Sequence, residues 1–248
     1  MPILNAPGLL VALAVLALLI HGPIPQLADY HAFAAQAPWL GLPHGADVWS
    51  NLGFGLVGVW GWRRLGQTVP RPGQAGYQLF AASLVLTALG SSWYHLAPDD
   101  ARLVWDRLPI ALACAGLLYG SWADTCLPLG WRGPALAGLG LAAVASVGWW
   151  ASQGDLRPYL LLQGLPLVLI PLWQWQHPSP SLERQGFGVA ILLYLMAKGA
   201  ELRDHALLAL THGLLSGHTL KHLLATAAAL LILASITRPA AAPWPRRR

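Results

Sequence analysis

The chain is poor in charge. Only 10% of its 248 residues are Asp, Glu, Lys or Arg, against about 25% in an ordinary soluble domain, which excludes a solvated surface over most of the molecule and an intrinsically disordered chain. Cysteine is almost missing: Cys114 and Cys126 form no CxxC motif, so a disulfide framework is excluded and both are read as small core or lipid-facing side chains. Basic clusters of the kind that bind nucleic acid are also lacking. The 15 Lys and Arg residues are scattered or lie beside apolar runs, where they report orientation in a membrane. What fills the chain instead is apolar: 56% hydrophobic residues, 13 Trp, 26 Gly and 20 Pro, with a mean hydropathy of +0.51. Gly and Pro are tolerated in transmembrane helices, and Trp favours their interfaces.

A hydrocarbon core needs about 20 mostly apolar residues per helix. Eight such runs are found, at 3 to 21, 47 to 65, 74 to 97, 102 to 122, 134 to 152, 157 to 176, 186 to 203 and 211 to 236. The expected fold is all-α, a polytopic seven-helix bundle at 47 to 236 preceded by a further helix and outer loop (1 to 46) and followed by a basic tail (237 to 248). The first run has no Lys or Arg ahead of it and is long for a signal peptide, so it is read as a retained helix. Short connections make neighbouring helices antiparallel. Arg63, Arg64 and Arg71 follow the second run, and Arg238 with Arg246, Arg247 and Arg248 follow the last. That side is expected to be cytoplasmic, with both termini there and Asp29, Asp47, Asp99 and Asp100 outside, as in a bacterial inner membrane. The arginine tail is read as a topology anchor. Trp39, Trp49, Trp60, Trp62, Trp149 and Trp150 are read as interfacial belts, and His21, His31, His44 and His212 as loop or interfacial residues.

Ionisable groups inside membrane segments are costly, and each is a functional hypothesis. Ser91 and His95 end the third run, Asp106 begins the fourth, and His218 and His222 begin the last. Antiparallel topology places all five in the outer half of the membrane. His218 and His222, at i and i+4, project from one helix face as two ligands of one metal require. His95 supplies a third nitrogen and leaves the fourth position of a zinc ion open to water, whose pKa falls towards about 7. Asp106 then takes the proton of that water, and Ser91 hydrogen-bonds the water or the oxyanion. Each feature alone has a plainer explanation: a helix-packing histidine pair, a back-bonding serine, an Asp106 paired with Arg102 or Arg107. Three of them at one depth on three helices favour a site.

The order SxxxH, then Asp eleven residues later, then HxxxH on the last helix resembles the superfamily of seven-helix membrane hydrolases that includes alkaline ceramidases and adiponectin-receptor-like proteins. Asp47 to Phe54, Ala197 to Glu201 and Ser216 to His222 bring the chain nearest to the bacterial alkaline ceramidase branch. The resemblance, over 47 to 236, implies one zinc ion on His95, His218 and His222, with Ser91 and Asp106 catalytic. It implies hydrolysis of the amide of a ceramide-like or other N-acyl lipid to a long-chain base and a fatty acid. The calcium-binding acidic cluster of animal members has no match, since 22 to 46 offers only Asp29, and no calcium site is expected. Lys198 and Glu201, at i and i+3, are read as a buried pair that either holds the bundle or supports the site. Asp204 and His205 are placed near the outer end, where Asp204 is a candidate to support a metal-ligating histidine. Lys221 is read as snorkelling outward. Two rivals remain open: a receptor or sensor with a structural zinc, and a transporter or proton channel that binds no metal.

Overall fold

The structure is a computed structural model that describes residues 6–238. The start of the first apolar run and the arginine tail at 246 to 248 lie outside the described residues. Within them the fold is all-helical, with no β-strand and only two isolated bridges, Pro25 to Asp155 and Trp39 to Leu42. In chain order the α-helices are α1 (Ala6–His21), α2 (Gly45–Ser50), α3 (Leu52–Gly66), α4 (Gln74–Leu96) and α5 (Asp100–Thr125). They continue with α6 (Arg132–Gln153), preceded by a 3-10 turn at Leu129–Trp131, α7 (Arg157–Gln176), α8 (Ser181–Glu201), α9 (Asp204–Leu210) and α10 (Gly217–Ile236).

Four helical segments are long and apolar enough to cross a membrane, Gln74–Leu96, Asp100–Thr125, Leu129–Gln153 and Gly217–Ile236, and Ala6–His21 is apolar but shorter. The second expected run is broken in two at Asn51, between α2 and α3. The last begins at 217 and not at 211, because His212 and Gly213 take up positive φ (52° and 83°) and turn the chain between α9 and α10. One core cluster joins α3, α4, α8 and α10 around Leu65, Tyr77, Phe80 and Leu233; a second joins α4, α5, α6 and α7 around Tyr94, Leu103, Val147 and Tyr159. Leucines remain exposed all round the outside, among them Leu19, Leu56, Leu141, Leu192 and Leu214, which is the dress of a helix bundle that meets an apolar solvent.

Two caps set where the site helices begin. The Asp99 carboxylate accepts from the backbone N–H of Arg102 at 2.7 Å and starts α5, so that Asp106 falls in its second turn. Ser216 Oγ accepts from the backbone N–H of Thr219 at 3.0 Å and starts α10, putting His218 and His222 in its first two turns. Such side-chain acceptors satisfy donors that a helix start leaves free.

Candidate metal centre

Proline inside α5 opens the place where α4 meets it. Pro109 has no N–H for the carbonyl four residues back, which belongs to Trp105, and Gly90 of α4 sits directly over that carbonyl, where any Cβ would overlap it. Backbone approach at Gly90 brings its neighbour Ser91 to the cavity wall that Asp106 also lines. Gly217 does the same for α10: a Cβ there would overlap the carbonyl of Ala200 and the backbone of Asp204. With that contact made, the Asp204 carboxylate accepts from the backbone N–H of His218 at 2.7 Å through one oxygen and from that of Ala34 at 2.8 Å through the other. Asp204 therefore supports His218 through the main chain, not through its ring.

His95, His218 and His222 are all buried. Their ring centroids stand 4.8 to 5.2 Å apart, and one nitrogen from each lies within 4.8 Å of the others. The Nε2 atoms of His95 and His218 are 3.2 Å apart. Two nitrogens about 2.05 Å from one tetrahedral zinc are separated by about 3.3 Å, so the pair already has the spacing of co-ligands. His222 is poised by its other nitrogen. Ser50 Oγ donates its single proton to the Asp47 carbonyl at 2.9 Å, and so accepts from His222 Nδ1–H at 2.7 Å, leaving Nε2 with its lone pair. His95 Nδ1 has no partner. Three neutral imidazoles in this arrangement fit a zinc ion, and no carboxylate joins them in the cluster.

Asp106 is buried and lines the cavity beside the histidines, as do Ser91 and His222. Neither arginine considered for it is its partner: Arg102 pairs with Asp99 at 2.6 Å, and Arg107 donates to Gln26 Oε1 at 2.6 Å. Lys198 and Glu201 do pair, at 2.9 Å. Lys221 does not snorkel outward. It turns in to Glu201 at 2.7 Å, so one carboxylate holds two ammonium groups. Its Nζ also comes within 3.4 Å of His218 Nε2, with Glu201 the closer partner.

The cavity reaches from these polar groups into the bundle, with a volume of about 290 Å³. Its far walls are apolar, formed by Leu84, Leu117, Ile170, Phe187 and Ile232 among others.

Several residues of the site were not legible in the sequence. The 22 to 46 connection is more than an outer loop: Phe33 is buried and stands edge-on to His95 and His218, with ring centroids at 4.7 and 4.4 Å. Segments that close over a site from a connection carry no periodic signal. Asp47, expected on the outer side, is buried against α10 and accepts from Thr219 Oγ1 at 2.6 Å. Trp150 belongs to no interfacial belt; it is 5% exposed and stacks on Arg107, whose Cζ is 3.9 Å from its ring centroid. Arg107 does carry a signal in the sequence, an ionisable residue within an apolar run, the same signal that marks Asp106 next to it. No protein-family model matches the chain, and no curated protein matches it either.

Proposed function

We propose that this chain is a zinc-dependent intramembrane hydrolase that cleaves the amide bond of a ceramide-like or other N-acyl lipid. One observation carries the reading: three buried histidines from α4 and α10 offer ligand atoms within 4.8 Å of one another, beside Asp106 and Ser91, at the polar end of an otherwise apolar cavity. The order of these residues along the chain, and its likeness to that of the seven-helix hydrolases, supports the same reading.

His95, His218 and His222 hold the metal, which supplies Lewis-acid polarisation when bound. The apolar walls receive the acyl chain, and the polar end receives the amide. Asp106 accepts the proton of the attacking water and returns it to the amine nitrogen as the C–N bond breaks, giving the long-chain base and the free fatty acid. Ser91 orients the ionised Asp106 with its single proton, which is free for the oxyanion once Asp106 has taken the proton of the water.

In the same proposal α3 to α8 and α10, leaving out the short α9, form the seven spans, α1 is an additional helix, and the protein resides in a bacterial inner membrane. Arg63, Arg64, Arg71 and Arg238 mark the cytoplasmic end, where both termini lie, and the site opens in the outer half. Purified protein loaded with zinc is expected to release fatty acid from an N-acyl lipid, and His218→Ala to release none. Bound zinc without release from any N-acyl lipid would turn the reading towards a receptor with a structural metal, and absence of metal binding towards a proton relay.

A further inference from the structure

The most unusual group in the cavity wall is Arg107. It is 3% exposed, and its guanidinium is fixed among three aromatic rings, with Cζ at 3.9 Å from the centroid of Trp150, 5.1 Å from Tyr30 and 5.3 Å from Tyr159. Of its nitrogens, Nη2 donates to Gln26 Oε1 at 2.6 Å, while Nε and Nη1 have no partner at all. Buried arginine donors without acceptors are expensive. The rings offset part of the cost of burying the charge, but they lie against the plane and do not replace acceptors at its edges.

Among the described residues no carboxylate forms an ion pair with Arg107, and Asp106 beside it also lines the cavity. The polar end of the cavity is lined by three cations, Arg107, Lys198 and Lys221, against two carboxylates, Asp106 and Glu201. Glu201 is already divided between the two lysines, at 2.9 and 2.7 Å. Asp47 and Asp204 stand behind the histidines at the same end, so what is unmet there is the pair of free Arg107 donors and not the charge sum. Buried guanidinium donors of this kind call for an acceptor.

We infer that the lipid bound in this cavity has an acidic headgroup, a carboxylate or a phosphate, that takes the free donors of Arg107. Arg107 is then a specificity-determining residue, and the substrate class narrows from N-acyl lipids in general to anionic ones. Guanidinium suits both oxyanions, and their shared feature is negative charge close to the acylated nitrogen: an N-acyl amino acid carries it as carboxylate, a phosphorylated N-acyl base as phosphate. The inference rests on the hydrolase reading for the word substrate, but the binding it describes does not require turnover.

Binding is therefore measured on full-length protein in detergent micelles after treatment with a chelator, with three radiolabelled probes of equal acyl chain: N-palmitoylglycine, ceramide 1-phosphate with a palmitoyl chain, and neutral N-palmitoylethanolamine. The wild type is expected to bind at least one acidic probe about tenfold or more tightly than the neutral one. Which acidic probe it prefers tells carboxylate from phosphate. Arg107→Gln is expected to lose that preference while its affinity for the neutral probe stays within about twofold, and Arg107→Lys to retain part of it. Equal binding of all three probes by the wild type overturns the inference, and needs no variant to do so. Equal weakening of all three in Arg107→Gln overturns it too, since a merely structural arginine would act that way. Fatty-acid release from the same probes by the zinc-loaded protein is scored separately, so failure of hydrolysis leaves the headgroup result standing.

Discussion

Two partly or fully buried arginines sit at opposite ends of the bundle, and their surroundings could hardly differ more. Arg71, between α3 and α4, is fully engaged: Nε pairs with Asp124 at 2.8 Å and Nη2 with Glu183 at 2.9 Å, while Nη1 donates to Glu183 at 3.0 Å and to the Ile236 carbonyl at 3.2 Å. One side chain thereby clasps the ends of α5, α8 and α10. Arg107, at the other end, has two nitrogens without acceptors. Arg71 has two carboxylates at ion-pairing distance; Arg107 has none among the described residues, and its nearest acceptor is the Gln26 amide oxygen. Where the chain supplies all the partners, the charge serves the fold. Where it leaves them out, the missing partner is sought in a ligand.

The contrast can be broken by substitution, and the largest effect is expected at the site end. Asp106→Asn keeps the ligand set and removes the proton acceptor, so turnover on an N-acyl lipid is expected to fall by about 10²- to 10⁴-fold with metal content unchanged. Hydrolysis at the parent rate would show that another group moves the proton. Next comes the clasp. Arg71→Ala leaves Asp124 and Glu183 facing each other without a cation and is expected to cost about 3–5 kcal/mol, a fall in Tm on the order of 10 °C. Arg107→Gln, which removes a cation that makes no ion pair, is expected to lower Tm by less than half as much. Thermal unfolding of the two variants in the same detergent compares them directly, and equal losses would erase the distinction between the two arginines.

A smaller effect is expected one step behind the metal. Ser50 holds the His222 ring through Nδ1 at 2.7 Å, and Ser50→Ala is expected to weaken zinc binding about 10- to 100-fold in a competition titration with a chelator. The smallest concerns Asp155, in the turn between α6 and α7. Its salt bridge to Arg157 at 2.8 Å, together with the backbone N–H groups of Ile24 and Arg157 and the Trp149 indole N–H, holds its carboxyl well below the usual carboxylate range. A carboxyl depressed in the folded state stabilises fully above its unfolded value of about 3.9 and loses that contribution as pH falls below it. Asp155→Asn is accordingly expected to lower Tm by roughly 2–4 °C at pH 7, with the gap to wild type constant down to about pH 4 and closing below it. A gap that widened on acidification would contradict the assignment.

Sequence alone reached the helices because apolar runs in a chain with so few charges have clear edges: α4, α5, α6 and α7 begin and end within a few residues of the runs that predict them. It reached the histidine cluster because i and i+4 spacing on one helix and polar residues at matching depth on two others are local patterns. It did not reach contacts that depend on how segments close over one another. Phe33 and Tyr30 come from a connection without periodicity, and the break at Asn51 turns Ser50 towards His222, which no spacing foretells. The inward turn of Lys221 is of the same kind, since it depends on Glu201, twenty residues earlier on another helix.

The three histidines are the centre of the site. Metal analysis of the purified full-length protein after zinc loading and removal of free ion tests them most directly. One zinc per chain in the wild type and in Asp106→Asn, with none in His218→Ala, is the predicted result. No zinc in the wild type, or one zinc retained when His218 is removed, would contradict it.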